Sequence, residues 1–534
     1  MMYAFKLHPF GRTFGMKDSP ALQRTILYSL ICIALLPVMA FRDFMPTNEL
    51  RYLSIVDEAL RDGTVFTFHN HGAPYADKPP LWFWMAMLGR TLFGCHCVYF
   101  LSLLQLIPAI VTNEVFHRWY RRAGFPESVC NTALCVLFTC GIFLAMTVTL
   151  RMDMLMAMFI ALALKAGYEI CTGAATAKRK WLLGLWVFLA VFSKGPMGIL
   201  IPAACLAAYC LTQKNFKGLG ACFGWRFWVA ALSLCALWWG CVWAEGGSGY
   251  IRNLLFHQTV DRAVNSFHHK EPFWYYFLTS LYTFQPWTLV LFGTIIVAAA
   301  RKTALDALQR FHLTVIVTTF IALSCISSKI EIYLLPVYPF VVYLGVSLAG
   351  RKGQYRWTRG FLLATAVIIA LALPGLLVAL KVARLREYFH LPMFTAAACA
   401  LTISGMAATV LAARGRLSAS MRTIAAGVLS AVFIAGLGVT ALNPYIGYRA
   451  LSDKAAEMLR KHDADTIVFY RMKRPENMDV YLGDRVRIEI ADSLPTALSP
   501  GKLYVTPTAK AGELPRLPET ADTASAPPYT LTAP

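Results

Sequence analysis

The chain is poor in charged residues: 15% of its 534 residues are Asp, Glu, Lys or Arg, whereas 57% are hydrophobic. About one quarter of a typical soluble domain is charged, so this scarcity excludes an ordinary soluble protein. Apolar runs of about twenty residues recur from Thr25 to Leu442, and each is long enough to cross a hydrocarbon core of roughly 30 Å. The sequence therefore predicts an α-helical polytopic membrane protein.

Several chemical signatures are also missing. There is no P-loop and no Gly-rich dinucleotide fingerprint, so no nucleotide cofactor is expected. The fourteen cysteines form no zinc motif or disulfide framework, since many lie inside apolar runs. The net charge of +21 resides in short loops rather than on one amphipathic face, which argues against nucleic acid as a partner. No small-residue cleavage site follows Met39, so the first span is expected to be retained as an anchor.

Hydropathy predicts about thirteen spans, near residues 25–40, 98–116, 129–148, 154–170, 181–192, 197–211, 227–243, 273–299, 313–326, 333–349, 361–380, 393–413 and 424–442. If the N-terminus is cytoplasmic, the basic loops fall on the cytoplasmic side, as the positive-inside rule requires. We therefore expect a transmembrane domain over 1–442 with a long first outer loop at 42–80. A periplasmic α/β domain over 443–507 and a disordered tail over 508–534 would follow.

The α/β domain is predicted from a helical pattern at 450–461 and three short strands at 465–470, 479–482 and 486–490. In the first outer loop, Leu50, Leu53, Val56 and Leu60 recur at helical spacing and predict an amphipathic helix on the membrane face.

Six cations are placed on the outer side, where the positive-inside rule gives no reason for them. They are Arg51, Lys78, Lys194, Arg262, Lys270 and Lys329. Charges next to apolar spans are costly unless they are paired or bound, and a cluster of outer cations suits a phosphate. We therefore predict that these residues bind a phosphate, although Lys194 and Lys329 also fit simple turns between spans.

An ordered set of short motifs carries a family resemblance. The motifs are Glu-x-Arg-Tyr at 49–52, Asp-Lys-Pro at 77–79, Lys-Gly-Pro at 194–196, His-Lys-x-Pro-Phe-Trp-Tyr-Tyr at 269–276, Pro-Trp at 286–287, and Ser-Ser-Lys followed by Tyr-Leu-Leu-Pro within 327–336. The chain resembles the C-type (GT-C) integral-membrane glycosyltransferases, in particular the lipid A aminoarabinose transferase (ArnT) branch. The likeness covers nearly the whole chain.

The resemblance implies a polyprenyl (undecaprenyl) phosphate sugar donor, a lipid A acceptor and an inner-membrane location. It places Arg51, Tyr52 and Lys78 at the carrier phosphate. It also implies a divalent metal at Asp77 and His269, with Tyr333 nearby; a carboxylate beside a neutral imidazole suits such an ion.

One position departs from the family pattern. The family usually has Asp-Glu in the first outer loop, and this chain has Asn48-Glu49. Asn cannot accept a proton as a base. Either Glu49 substitutes, or the acceptor is a phosphate that is already anionic and needs little base assistance. The candidate catalytic residues are therefore Asn48, Glu49 and Lys78.

Three alternatives stay open. The sugar could go to a protein or envelope-glycan hydroxyl, which would make the missing Asp more damaging. The chain could be a lipid transporter, although no repeat of two halves is visible. It could also be an inactive homologue that binds polyprenyl phosphate.

Overall fold

The computed structural model describes residues 19–255, 270–483, 486–493, 498–513 and 521–534. The chain forms two compact units. Unit one contains Met1–Leu36, Asp77–Trp82 and Ser102–Ala435, and unit two contains Pro37–Ala76, Phe83–Leu101 and Gly436–Pro534. This division differs from the expected single boundary at residue 442, because the first outer loop groups mainly with the C-terminal residues.

The α-helices of the described chain are α1 Pro20–Phe41, α2 Arg51–Asp62, α3 Leu81–Phe93, α4 Val98–Arg122, α5 Glu127–Phe138, α6 Gly141–Met146, α7 Asp153–Cys171, α8 Ala177–Lys194, α9 Met197–Thr212, α10 Phe216–Cys222, α11 Trp225–Arg252, α12 Tyr275–Thr283, α13 Thr288–Ala300, α14 Ala307–Ser324, α15 Tyr338–Ala349, α16 Tyr355–Ala370, α17 Ala372–Ala379, α18 Ala383–Phe389, α19 Pro392–Ala413, α20 Leu417–Leu437, α21 Asn443–Ile446, α22 Arg449–Lys461 and α23 Asp479–Leu482.

Eight helices of the described chain are long and apolar enough to cross a membrane, or nine if α16 and α17, which bend by 41°, form one span. Three shorter apolar helices, α5, α9 and α13, also lie where spans are expected. Three expected spans, 129–148, 273–299 and 361–380, are each divided into two helices. The run 273–299 divides into α12 and α13 at Gln285-Pro286, because proline lacks an N–H donor and restricts the residue before it. The expected number of thirteen is therefore not confirmed.

The turn between α8 and α9 in unit one fixes the position of Lys194. Gly195 has φ of 109°, a backbone conformation that other residues rarely adopt, and Pro196 directly precedes α9. A Cβ on Gly198 would lie 2.3 Å from the backbone of Ala190, so glycine permits the two helices to pack closely. Lys194 is thereby held at the last position of α8.

Unit two contains a five-stranded sheet in the order β4-β3-β5-β7-β6. Its strands are β3 Thr466–Tyr470, β4 Arg487–Ala491, β5 Lys502–Pro507, β6 Asp522–Ala526 and β7 Tyr529–Ala533. Strand β3 is buried along its length and pairs in parallel with β4 and β5, whereas β7 is antiparallel to both β5 and β6. Helix α22 buries its apolar face through residues such as Leu451, Ala455 and Met458.

The first outer loop contributes α2 and a small hairpin of β1 His69–Asn70 and β2 Ala73–Pro74 to unit two. The predicted amphipathic helix is confirmed, and it ends at Gly63, whose φ of 70° suits a helix C-terminus. Leu50, Leu53 and Val56 are fully buried. The apolar face of this helix therefore packs into protein and not onto lipid.

Two expectations about the C-terminal residues are wrong. Residues 479–482 form a short helix, α23, with no buried side chain, and a run this short cannot be assigned to helix or strand from its periodicity alone. The tail expected to be disordered contains β6 and β7, which complete the sheet. Its Thr and Ala residues gain their order from pairing with a distant strand, β5, which composition alone does not reveal.

Candidate functional site

Glu49 lies in a π-helical turn, Pro46–Leu50, that leads into α2, and it is completely buried. Arg42 donates to both of its carboxylate oxygens, at 2.6 and 2.7 Å, and the Met45 N–H donates to one of them at 2.8 Å. A bidentate pair of this kind neutralises and fixes a carboxylate. This pairing suits a structural role for Glu49, and its predicted role as a base stays a prediction. Asn48 is half-buried beside it, and its main-chain oxygen accepts the Arg51 N–H.

Arg51 lies between two aromatic rings of unit two. Its guanidinium carbon is 5.5 Å from the ring centroid of Tyr52 and 5.6 Å from that of Tyr75. The Arg51 Nε is buried and has no hydrogen-bond partner within the described residues. A buried guanidinium N–H without an acceptor is costly, so this arrangement suits an anion. The phosphate-binding roles of Arg51 and Tyr52 stay predictions.

Asp77 and Lys78 belong to unit one, where both are half-buried in the turn that precedes α3. The Lys78 ammonium donates to the main-chain oxygen of Asp77 at 3.2 Å. The Lys78 ammonium is therefore held near the main chain of Asp77. The predicted roles of the two residues in metal and phosphate binding stay predictions.

Lys194 is the centre of a buried charged group in unit one. Its ammonium contacts the carboxylate of Asp153, which also accepts from Arg151 Nε at 3.1 Å. The Lys194 ammonium lies 4.7 Å from the ring centroid of Tyr333, a cation–π geometry. Asp153 is completely buried. The predicted binding of a phosphate by Lys194 stays a prediction.

Lys329 is buried, with 4% of its surface exposed. Its ammonium donates to the main-chain oxygen of Glu271 at 2.7 Å, and no carboxylate pairs with it within the described part of the chain. Lys270 is exposed and pairs through its backbone with Ser328. Lys270 and Lys329 therefore lie on two neighbouring stretches of chain that are joined by backbone pairing. A buried ammonium without a counter-ion is unfavourable, so Lys329 is a strong candidate for an anion ligand.

The predicted metal site cannot be assembled from the described residues alone. His269 and Arg262 lie outside them, and the described residues contain no group of three or more His, Cys, Asp or Glu side chains with metal-binding geometry. Tyr333 faces Lys194, a cation, which disfavours a metal ion at the same place. The metal remains a prediction that depends on Asp77 and His269.

Asp43 is an important residue that the sequence motifs do not reveal. One carboxylate oxygen accepts from the Tyr481 hydroxyl at 2.6 Å and from the Phe44 N–H at 2.7 Å, and the other accepts from the Arg449 N–H at 2.8 Å. The Asp43 N–H donates to Asn443 at 3.0 Å. Asp43 therefore joins the first outer loop to the C-terminal residues within unit two. Because its partners lie about 400 residues away, no local pattern could have identified it.

A cavity of about 980 Å³ in unit two has several acidic lining residues, including Asp57 and Asp479. Burial raises the pKa of Asp479, although a hydrogen bond from Ser54 opposes this shift. Burial also tends to raise the pKa of Asp57, but hydrogen bonds and charges from His96 and Arg90 outweigh it and lower the pKa. Both carboxylates already have partners in the protein: Ser54 for Asp479, and Arg90 and His96 for Asp57. The cavity therefore gives no evidence of a separate binding site.

Comparison with known proteins identifies relatives along most of the chain. It is 22% identical over 495 residues to an undecaprenyl phosphate-alpha-4-amino-4-deoxy-L-arabinose arabinosyl transferase of Pseudomonas fluorescens, covering 88% of this chain and 85% of the relative. It is 24% identical over 368 residues to the transferase of the same description from Erwinia tasmaniensis, covering 66% of each chain. No family model matches the sequence.

The fold is similar to that of ArnT from Cupriavidus metallidurans bound to undecaprenyl phosphate, with a TM-score of 0.77, 17% identity, and coverage of 96% of this chain and 98% of that one. The apo form of the same enzyme gives a TM-score of 0.75. The expected fold class, a helical multi-pass membrane protein with a small C-terminal sheet domain, is confirmed.

Proposed function

We propose that this chain, which belongs with the ArnT-like branch of the GT-C membrane proteins, moves an aminoarabinose-like sugar from undecaprenyl phosphate to a phosphate of lipid A. The relatives bear this activity in their names, and the fold is similar to an ArnT structure that holds undecaprenyl phosphate. The reaction would take place on the periplasmic side of the inner membrane. The N-terminus would be cytoplasmic and the C-terminal sheet domain periplasmic, in agreement with the positions of the basic loops.

The observation that carries this proposal is the buried ammonium of Lys329, which has a main-chain carbonyl as its partner and no carboxylate within the described residues. A lysine is rarely buried without a counter-ion. The phosphate of a lipid carrier supplies the missing charge. Arg51, Tyr52, Lys78, Lys194, Arg262 and Lys270 are proposed as further phosphate ligands.

The proposed reaction breaks the bond between the anomeric carbon and the carrier phosphate, and forms a bond from that carbon to an oxygen of the acceptor phosphate. Negative charge develops on the departing carrier phosphate, so fixed cations would stabilise the transition state. Positioning the two lipids together would supply much of the remaining rate enhancement. If a metal ion binds at Asp77 and His269, it would add positive charge for the same phosphate.

The chemistry of residue 48 and the pairing of Glu49 with Arg42 favour an anionic acceptor over a hydroxyl. Asn48 has no basic oxygen, and both oxygens of Glu49 accept hydrogen bonds from Arg42. A hydroxyl acceptor would need a base to remove its proton, whereas a phosphate acceptor is already an anion and does not. This argument favours lipid A phosphate over a protein or glycan hydroxyl.

The activity can be tested by reconstituting the purified full-length protein with undecaprenyl-phosphate aminoarabinose and lipid A, and measuring the mass of lipid A. We expect lipid A to gain one sugar. We expect Lys329→Met to lower the rate roughly tenfold or more, while Lys352→Met, which removes an exposed lysine of unit one, leaves it unchanged.

An unchanged lipid A mass with the wild-type protein and intact donor would refute the proposed acceptor. Sugar found on a glycan or protein hydroxyl in the same assay with crude envelope would favour the alternative enzyme. Equal rates for Lys329→Met and Lys352→Met would show that the buried ammonium has no part in the reaction.

A further inference from the structure

A basic loop follows β3 in unit two, defined here as Arg471 to Arg474. Arg471, Lys473 and Arg474 are all exposed. The Lys473 ammonium has no ion-pair or hydrogen-bond partner within the described residues. Arg474 approaches Glu476 at 3.3 Å with 55% of its side chain exposed. A second carboxylate near Arg471, that of Glu513, pairs with Lys510 at 3.3 Å, and Lys510 offsets its charge. Three cations and the carboxylate of Glu476 therefore leave the basic loop with about two net positive charges.

The backbone of the basic loop presents these cations in a fixed arrangement. Arg471 and Arg474 have φ of 52° and 56°, in a left-handed region that residues with side chains seldom adopt. The Arg471 guanidinium lies 5.2 Å from the ring centroid of Tyr470, and the main-chain oxygen of Lys473 accepts from the Tyr448 hydroxyl at 2.7 Å. Conformations of this kind are often retained where they present a functional group.

Two asparagines outside the basic loop, Asn477 and Asn443, contact the chain where α1 ends. Asn477, three residues beyond the loop, donates to the main-chain oxygen of Pro46 at 2.9 Å, and Pro46 follows the end of α1 at Phe41. Five residues span at most about 18 Å. Asn443, beyond the end of α20, donates to the main-chain oxygen of Phe41 at 2.8 Å. Within unit two, the basic loop is therefore joined to the end of α1 through Asn477 and the five residues that follow Phe41.

We propose that the basic loop binds the phosphate groups of the acceptor glycolipid, and so recruits it from the membrane surface before transfer. This inference rests on the proposed function for the identity of the acceptor. Arginine and lysine bind phosphates through charge-assisted hydrogen bonds, and each cation near an anionic surface strengthens attraction. The cations lie outside the membrane-spanning helices, so they can meet a headgroup without entering the hydrocarbon region.

The test uses the full-length protein in nanodiscs of zwitterionic lipid containing lipid A. Arg471→Gln, Lys473→Gln and Arg474→Gln are combined in one variant. The matched control combines Lys454→Gln, Arg460→Gln and Lys461→Gln, which removes the same charge from α22. We expect the loop variant to raise the KM for lipid A roughly tenfold to a hundredfold, with kcat and the KM for the donor unchanged. The control should keep all wild-type values.

A second measurement separates this inference from the proposed function. Binding of lipid A is measured without donor, so that it needs no turnover. Stronger binding by wild type than by the loop variant, weakened by salt and lost with dephosphorylated lipid A, supports the inference even if no sugar is transferred. Equal binding by both proteins would overturn it. Equal competition by phosphatidylglycerol, or a change confined to the KM for the donor, would also overturn it.

Discussion

The ion pair between Arg42 and Glu49 provides a test of whether Glu49 has a structural or a catalytic role. Glu49→Gln removes the completely buried carboxylate that pairs with the Arg42 guanidinium. Breaking a buried pair by removing one partner costs about 3–5 kcal/mol. Unit two has about 160 residues, and a domain of that size loses about 2–4 °C per kcal/mol. We therefore expect its unfolding midpoint to fall by roughly 6–20 °C.

The midpoint can be followed by brief proteolysis of the nanodisc-held protein at stepped temperatures, scoring the cleavage of unit two. Glu457→Gln is the control, because it removes an exposed carboxylate from the same unit and should change the free energy of unfolding by less than about 0.5 kcal/mol. The double variant Arg42→Met with Glu49→Gln should recover part of the loss, since no buried charge is left unpaired. A wild-type midpoint in Glu49→Gln combined with a large fall in transfer would refute the structural role.

Three further changes test other parts of the structure. Asn48→Asp should leave the transfer rate to lipid A within about threefold of wild type, since an anionic acceptor needs little base assistance; a large gain in rate would show that a base is missing. Acidification should destabilise unit two as the pH falls from the ordinary pKa of Asp57, 3.8, through its lowered folded pKa. Asp57→Asn should reduce this dependence in the proteolysis assay without abolishing it, because the pKa of Asp522 in the same unit is also lowered, to about 2. Lys194→Met should lower membrane abundance because Asp153 loses a buried partner, and adding Asp153→Asn should restore abundance but not transfer.

Hydropathy and short motifs predicted much of the fold. Apolar runs located most membrane helices because their length is fixed by the bilayer, and helical spacing located α2 and α22. The same rules could not predict the break at Gln285-Pro286 within an apolar run, or the strands β6 and β7. Those features depend on local backbone chemistry and on pairing with distant residues, and neither changes the mean hydropathy of a segment.

The candidate site was only partly predictable for a similar reason. Lys194 and Lys329 were identified because a charge beside an apolar span needs a partner, and both are buried in the structure. The partners themselves were not predictable in full. The contact between Asp153 and Lys194 arises from the packing of α7 on α8, which no local pattern describes. The ion pair between Glu49 and Arg42 depends on the π-helical turn between them.

The contacts of Asp43 have a consequence for the biogenesis of this protein. Unit two needs residues up to Leu101 and then residues from Gly436 onward, so the 334 residues from Ser102 to Ala435 must be synthesised between its parts. At about 5–20 residues per second, the early part would wait roughly 17–67 s without Tyr481 and Arg449. During that interval the acids and the apolar helix face that are buried in the finished protein would be exposed. A chain truncated before Gly436 would keep them exposed, and would therefore be open to chaperones and proteases.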